Sequence, residues 1–250
     1  MRGFKSADSY YKFSRDVCRS NRYFRGSETD EFFVILLQQA QLRRNLIPKG
    51  TIFYRAQLGH GLEPHCDQEE YSGDVPCPFP TDRMKPLRDR AAEGRANPKG
   101  IPCLYISNLM ETALSEVRPW RGSLISIAQF QTLRDLTIVD CTTTDKPRRI
   151  FYKGIPPEDW DKAVWFDIDR DFSKPVTRNE DLADYVPTQI IAELFKSSGF
   201  DGIEYKSSLG SGHNFALFDI DCANLTNRML YKAKDIKFDF SRAGNPLRPK

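Results

Sequence analysis

Residues 94–120 read GRANPKGIPCLYISNLMETALSEVRPW and carry the strongest structural signal in the chain. Residues 101–107 combine apolar, β-branched and aromatic side chains, which predicts a strand. Asn108 then offers an N-cap with a glutamate three residues later, so a helix should begin there. We expect this helix to run to Val117, because the residue before Pro119 disfavours helical backbone.

Glu116 lies near the end of this predicted helix, and its place on the helix surface is informative. The apolar side chains form a stripe made of Leu109, Ala113, Leu114 and Val117. At about 100° per residue, Glu116 falls at the edge of that stripe rather than opposite it. We therefore expect its carboxylate in the wall of a pocket.

Strands and helices are mixed in the rest of the chain without regular alternation. Apolar and β-branched runs predict strands at 51–57, 124–130, 136–139, 201–207 and 214–220. Apolar periodicity predicts helices that begin at residue 29 and cover 156–170 and 187–198. Because no repeated strand–helix–strand unit occurs, the pattern favours the α+β class over a doubly wound fold.

The chain is long enough for one large domain with appendages, since it has 250 residues of which 40% are hydrophobic. We expect an N-terminal basic and aromatic arm with a helix over 1–49, the main domain over 50–220 and a C-terminal extension over 221–250. The rings of the arm should pack on the main domain. Residues 57–94 have little periodicity, which predicts an insertion loop and the most mobile element.

The composition limits the cellular environment and the kinds of partner that we expect. A net charge of +3, with basic residues spread along the chain, gives little support for nucleic-acid binding. Six cysteines without framework spacing are typical of reduced thiols, which favours the cytoplasm. The sequence contains neither the apolar region of a signal peptide nor a membrane span, so we expect no membrane association.

The sequence gives weak support to three common kinds of site, namely a metal site, a phosphate-binding loop and a serine hydrolase site. His60, His65, Cys66 and Cys77 lie in one segment, but they lack the tight spacing of zinc knuckles, so we expect no metal site. The SLGSGH segment at 208–213 is not followed by the lysine of a phosphate-binding loop. It also lacks the full elbow motif that presents a hydrolase serine.

Four motifs are more informative together than singly. They are TIFYRAQ at 51–57, GRANPKGIPCLYIS at 94–107, ETALSEV at 111–117, and YKSS at 205–208 followed by NFALF. In this order the chain resembles the RES domain family over residues 50–220. That family is named for its arginine, glutamate and serine, and its members include NAD⁺-consuming toxins of bacterial toxin–antitoxin pairs. The resemblance implies an ADP-ribosyltransferase-like fold, in which helices flank a split mixed β-sheet with an NAD⁺ cleft.

The resemblance also assigns residues position by position. The matching residues are Arg55, Glu116 and Ser207 for the three name-giving positions, Ser208 as the alternative serine, and Arg95 and Tyr105 between the first two.

The chemistry of these side chains fits NAD⁺. Arg55 and Arg95 offer forked donors for the pyrophosphate. Tyr105 offers a face on which the cationic nicotinamide ring can stack. Glu116 can stabilise the positive charge that develops at the anomeric carbon during cleavage. Ser207 should position the ligand by a hydrogen bond, since no histidine–acid pair accompanies it.

The expected function is cleavage of the nicotinamide–ribose bond of NAD⁺ by a growth-inhibiting toxin, with an antitoxin protein as inhibitory partner and no cofactor beyond NAD⁺ as substrate. Arginine-directed transferases carry an acid or glutamine two positions before the catalytic glutamate, where this chain has Leu114. This favours water or inorganic phosphate as the acceptor. Two alternatives stay open, namely mono-ADP-ribosylation of a macromolecule and a non-catalytic module that binds a nucleotide or a partner.

Overall fold

The computed structural model describes residues 3–24, 26–67, 70–144, 154–174 and 182–237. Within these ranges the helices are α1 (Ser9–Arg19), α2 (Ser27–Leu42), α3 (Met110–Glu116), α4 (Trp160–Ser173) and α5 (Val186–Ser197). The strands are β1 (Arg44–Ile47), β2 (Ile52–Leu58), β3 (Gly61–Asp67), β4 (Glu70–Cys77), β5 (Leu104–Ser107), β6 (Leu124–Thr132), β7 (Leu136–Asp140), β8 (Gly202–Lys206), β9 (His213–Leu217) and β10 (Ala223–Lys232). Short 3₁₀ turns precede α4 and α5.

The main sheet confirms the α+β prediction. Its eight strands follow the order β1-β7-β8-β9-β5-β2-β6-β10. Strands β7 and β8 pair in parallel, whereas their neighbours pair antiparallel, so the sheet is mixed. Strands β5 and β2 share one residue pair, Tyr54 with Ser107. The sheet is therefore nearly divided at this point, as the predicted split requires.

Two hydrophobic cores lie on opposite faces of this sheet. The first core is the cluster that buries the apolar faces of α1, α2, α4 and α5 against the sheet, and it includes Phe13, Phe32, Trp165, Phe195 and Ile203. The second core contains no residue of these helices, and includes Phe53, Met84, Phe130, Ile138 and Phe215. Burial of each such side chain stabilises the fold by about 1.5–3 kcal/mol.

The N-terminal arm packs on the main domain in part as expected. Tyr10 and Phe13 are buried on one side of α1, and the Tyr10 hydroxyl donates to Asp171 Oδ2 of the main domain at 2.8 Å. Tyr23 and Phe24, which follow the helix, are exposed instead. The prediction holds for the rings at helical spacing, because one face of an amphipathic helix can be covered while the residues after it are not.

The expectation of an insertion loop over 57–94 was wrong for much of its length. Strands β3 and β4 pair there as an antiparallel ribbon that is separate from the main sheet. Pro64 and Pro76 lie inside these strands and weakened the strand signal. Proline is tolerated in this position because each strand of a two-stranded ribbon has one edge that makes no ladder hydrogen bonds.

Two other local expectations are corrected by the structure. The predicted C-terminal extension begins with β10, an edge strand that pairs with β6 along its length. Asn108 does not cap α3, which begins at Met110 without a side-chain cap. The Asn108 Oδ1 atom instead accepts a hydrogen bond from the backbone of His213 at 2.9 Å, because the loop before β9 packs on this end of the helix.

Candidate active site

Glu116 and Ser207 come together at the end of α3. Glu116 Oε1 accepts a hydrogen bond from Ser207 Oγ at 2.6 Å. The same oxygen accepts a second bond from Asn214 Nδ2, also at 2.6 Å. Such short distances are typical of hydrogen bonds to a charged acceptor. The glutamate and serine that were singled out from separate motifs therefore form one unit, and Asn214 joins them.

The loop between β8 and β9 fixes the direction of the Ser207 hydroxyl. Ser207 Oγ accepts hydrogen bonds from the backbone N–H groups of Leu209 and Gly210, at 3.1 and 2.9 Å. With its acceptor sites occupied, the hydroxyl proton points to Glu116. Ser207 thus contacts the carboxylate, whereas Ser208 lies in the wall of the adjoining cavity.

The glycines of this loop allow it to lie against α3. A Cβ atom at Gly210 would come within 2.9 Å of Thr112 Cα, and one at Gly212 within 2.6 Å of Thr112 Oγ1. Gly212 N donates to Thr112 Oγ1 at 3.0 Å. The SLGSGH segment is therefore a packing element that holds Ser207 and Glu116 in register, rather than a phosphate-binding loop.

An open cavity of about 280 Å³ adjoins the carboxylate. Its lining residues are Arg95, Glu116, Arg118, Phe172, Ser173, Lys174, Tyr205, Ser208 and Asn214. The volume lies just below the range of roughly 300–1,000 Å³ that is usual for ligand pockets, so it can enclose part of a large ligand. Three cationic side chains face one carboxylate, which makes the cavity suitable for an anionic ligand.

Tyr205 supplies the aromatic wall of this cavity. Its side chain is buried in the first core, and its ring lies 5.7 Å from that of Phe172. Burial raises the pKa of the Tyr205 phenol well above its ordinary value, and the nearby charge of Glu116 raises it further. The phenol is therefore neutral at physiological pH and presents a stable, uncharged aromatic surface beside the carboxylate.

Arg95 reaches the cavity while holding the end of α4. Its guanidinium donates to the backbone carbonyls of Asp171, at 3.0 Å, and of Lys174. It also lies over the ring of Tyr185, 4.9 Å from the centroid. These contacts occupy carbonyls at the helix end and fix the cation in the cavity wall. The structure thus places Arg95 beside Glu116, in the neighbourhood that the sequence motif predicted.

Tyr105 lies behind this wall rather than in it. Its hydroxyl donates to Asn97 Oδ1 at 2.7 Å and accepts from Ala96 N at 2.9 Å. Burial raises the pKa of Tyr105 well above its ordinary value, so these bonds are made by the neutral phenol. Tyr105 fixes the turn that carries Arg95, and the ring that lines the cavity belongs to Tyr205.

The structure does not bring Arg55 to the cavity around Glu116. Phe53 belongs to the second core, and Arg55 lies two residues further along β2, so the alternation of side chains turns Arg55 to the same face. Its guanidinium donates to the backbone carbonyl of Met84 at 2.6 Å. Burial lowers the pKa of Arg55 to about 10, which leaves the side chain charged at neutral pH.

Six of the residues that line the cavity were missed by the sequence analysis as site residues, namely Arg118, Phe172, Ser173, Lys174, Tyr205 and Asn214. Arg118 is the residue with the clearest signal, because it lies two residues after Glu116, where α3 ends, and precedes a proline. Its φ angle of 48° lies in the left-handed region, which is uncommon for a residue with a side chain. Backbone strain of this kind is frequent at functional sites.

Other kinds of site find no support in the described part of the chain. Within it, no group of three or more histidine, cysteine or acidic side chains could hold a metal ion. His60 Nδ1 lies 2.7 Å from the neighbouring carbonyl of Gly61, a local contact. The described helices include none with the length and apolar character needed to cross a bilayer.

The fold and the cavity define an α+β protein in which one carboxylate faces a cationic, aromatic-lined pocket. The family model described as the RES domain matches residues 76–241, more than half of the chain. The chain therefore belongs to the RES domain family. The matched range includes the cavity residues and begins after Arg55.

Solved structures and curated proteins give two further comparisons with this chain. The crystal structure of the M. tuberculosis MbcT-MbcA toxin-antitoxin complex contains a chain that is 14% identical to this one. The alignment covers 79% of this chain and 92% of that chain, with a TM-score of 0.42. Curated proteins gave no match.

Proposed function

We propose that this protein breaks the nicotinamide–ribose bond of NAD⁺ in the cavity beside Glu116. The observation that carries the proposal is the position of the Glu116 carboxylate, held by Ser207 and Asn214 in a wall that also bears the Tyr205 ring. A carboxylate beside an aromatic surface suits the positive charge of both the nicotinamide ring and the oxocarbenium-like transition state.

The bond that breaks joins the anomeric carbon to the nicotinamide nitrogen. Its electron pair goes to the nitrogen, which makes nicotinamide a neutral leaving group. Positive charge develops on the ribose carbon, and the Glu116 carboxylate stabilises it across a short distance. Water or inorganic phosphate then bonds to that carbon. With water, the proton lost by the nucleophile passes to Glu116 or to solvent, and the products are nicotinamide and ADP-ribose.

The cations of the cavity account for recognition of the rest of the substrate. NAD⁺ carries a pyrophosphate with two negative charges, and guanidinium groups bind phosphate oxygens in a fixed orientation. Arg118 and Lys174 are exposed in the cavity wall, whereas Arg95 is anchored to the end of α4. We therefore assign pyrophosphate binding to these three side chains, in place of the role that the sequence analysis gave to Arg55.

The same site can serve a toxin that arrests growth by depleting NAD⁺, as members of the RES family do. An antitoxin that covers the open cavity would then be the inhibitory partner. A neighbouring reading frame for such a partner, and rescue of growth by its coexpression, would support this biology. Normal growth during strong expression of active protein without a partner would contradict it.

The decisive experiment measures nicotinamide release by the purified protein from NAD⁺, with and without inorganic phosphate. We expect release in at least one condition and a loss of at least about 10³-fold for Glu116→Gln, which keeps the shape but removes the charge. Gln129→Ala on β6 serves as a control outside the cavity. No nicotinamide in either condition would overturn the proposal.

Transfer to a macromolecule is separated from hydrolysis or phosphorolysis by the fate of the label. NAD⁺ labelled in the adenylate part should yield free ADP-ribose or its phosphate ester. Label retained on protein or nucleic acid after denaturation would favour a mono-ADP-ribosyltransferase instead. Leu114, at the position of the acceptor-selecting acid in arginine-directed transferases, supports the small-molecule acceptors.

A further inference from the structure

Asn214 links the candidate carboxylate to the interior of the sheet. It is the second residue of β9, and the strand register places it directly opposite Ser107 on β5. Both side chains are buried, with exposed fractions of 6% for Asn214 and 3% for Ser107. Because buried polar groups must be hydrogen-bonded to avoid a large cost, this pair has a defined geometry.

Ser107 binds the oxygen end of the Asn214 amide. The Ser107 hydroxyl donates to Asn214 Oδ1 at 2.6 Å. With the amide oxygen on that side, the NH₂ group faces Glu116 Oε1 at 2.6 Å. A flipped amide would place its oxygen against the carboxylate and leave two acceptors in contact. Because the carboxylate only accepts, whereas a hydroxyl can donate or accept, Glu116 selects this amide orientation and Ser107 completes it by donating to Oδ1.

Two donors on one oxygen restrict the rotation of the Glu116 side chain. Ser207 and Asn214 belong to different segments, and both bond to Oε1. Glu116 is otherwise exposed at the end of a short helix, where a glutamate ordinarily samples several rotamers. The second oxygen, Oε2, is consequently the one presented to a ligand in the cavity.

We propose that Asn214 is a positioning residue that holds the Glu116 carboxylate in its reactive orientation, and that Ser107 anchors the other end of the Asn214 amide. This proposal rests on the proposed function, since the orientation matters for the reaction at Glu116. Asn214 acts through the carboxylate rather than on the bond that breaks.

The first test compares Asn214→Ala with Asn214→Asp in nicotinamide release. Displacing a catalytic group by about 1 Å can cost roughly 10²-fold in rate. We expect kcat to fall about 10- to 100-fold for Asn214→Ala, with KM changed less than about 3-fold. Asn214→Asp has the same shape but turns an acceptor toward Glu116, so its kcat should fall at least as far. A merely packing role predicts the opposite order, and that result would overturn the proposal.

The second test asks whether Asn214 acts through Glu116. In the Glu116→Gln background, Asn214→Ala should cause little further loss of turnover, because residues that act as one unit are not additive. A full additional 10- to 100-fold loss would show that Asn214 acts independently. Ser107→Ala should lower kcat in the same direction, and Ser126→Ala is its matched control. Ser126 is a buried strand serine that bonds to Gly59 and Phe79 instead of to the site.

An unfolding experiment tests, without NAD⁺, whether Asn214 holds the Glu116 side chain. The free energies of unfolding of Asn214→Ala, Glu116→Ala and the double variant form a double-mutant cycle. We expect a loss for the double variant that is smaller than the sum of the single losses. Gln39→Ala, which removes a buried amide bonded to Trp165, should be additive with Glu116→Ala. Inactive wild-type protein would overturn the proposed function. Additive losses for Asn214→Ala and Glu116→Ala would instead show that Asn214 does not hold the carboxylate.

Discussion

Ser207→Ala tests whether the serine positions Glu116 or attacks the substrate. The hydroxyl takes part in three hydrogen bonds, one donated to Glu116 and two accepted from the N–H groups of Leu209 and Gly210. Its removal leaves the carboxylate with one donor and frees two backbone groups that water can reach. Since these groups are close to solvent, we expect the free energy of unfolding to fall by about 1–2 kcal/mol.

The effect on catalysis should be larger than the effect on stability. Glu116 would keep only its bond from Asn214, so its orientation would be less well defined. We expect kcat for nicotinamide release to fall about 10²-fold, with KM for NAD⁺ nearly unchanged. Ser207→Thr retains a hydroxyl and should recover most of the rate. Ser211→Ala is the control, because Ser211 is an exposed serine of the same loop that does not line the cavity.

The alternative role of Ser207 gives a different result. A nucleophilic serine would make Ser207→Ala lose about 10⁴-fold or more, and ADP-ribose would accumulate on the wild-type protein as a covalent intermediate. Rapid quenching followed by mass measurement of the intact protein detects such an adduct. An adduct on Ser207, or unchanged kcat in Ser207→Ala, would refute the positioning argument.

Three other perturbations separate binding, packing and protonation. Arg55→Ala should lower the free energy of unfolding by about 1–2 kcal/mol and leave KM for NAD⁺ within about 3-fold. Arg118→Ala should raise KM about 10-fold in steady-state kinetics. The reverse pattern would show that Arg55, rather than Arg118, binds the phosphates. Gly210→Ala should destabilise the protein by about 1–3 kcal/mol in urea unfolding and lower turnover, because the added Cβ meets Thr112 at 2.9 Å; wild-type values would show that the loop yields freely. Burial raises the pKa of the Cys103 thiol to about 12, so the stability that its neutral form contributes is present below the unfolded pKa of about 8.5 and is lost as pH rises through about 12. The decrease in the urea midpoint between pH 8 and pH 10.5 should therefore be smaller for Cys103→Ala than for the wild type. Equal decreases would contradict this.

Much of the central fold could be predicted because its strands and helices have local signals. The strand over Ile52–Leu58 and the helix over Val186–Ser197 lie close to their predicted positions. Strand β10 was missed because it is an edge strand with most of its side chains exposed, so apolar alternation is weak. Its position depends on pairing with β6, which is a tertiary contact.

The limits of sequence reasoning are clearest at the arginines and tyrosines of the site. Arg55 and Tyr54 are adjacent in the chain, but they point to opposite faces of the sheet. A shift of one residue in register would exchange them, and no local pattern fixes this register. Tyr105 and Tyr205 both pack with the first core, and only the tertiary structure shows that Tyr205 lines the cavity and Tyr105 does not.

The site divides into buried neutral groups that orient and exposed charged groups that bind. Ser107 and Asn214 are buried and bonded to each other, and they reach the carboxylate from inside the sheet. Arg118 and Lys174 are exposed in the cavity wall, and Lys174 also lies 3.6 Å from Asp184 Oδ2. Removal of an orienting group should therefore act on kcat, because the ligand still binds but the carboxylate moves. Removal of a cation should act on KM, because phosphate contacts are made equally in the ground state and the transition state.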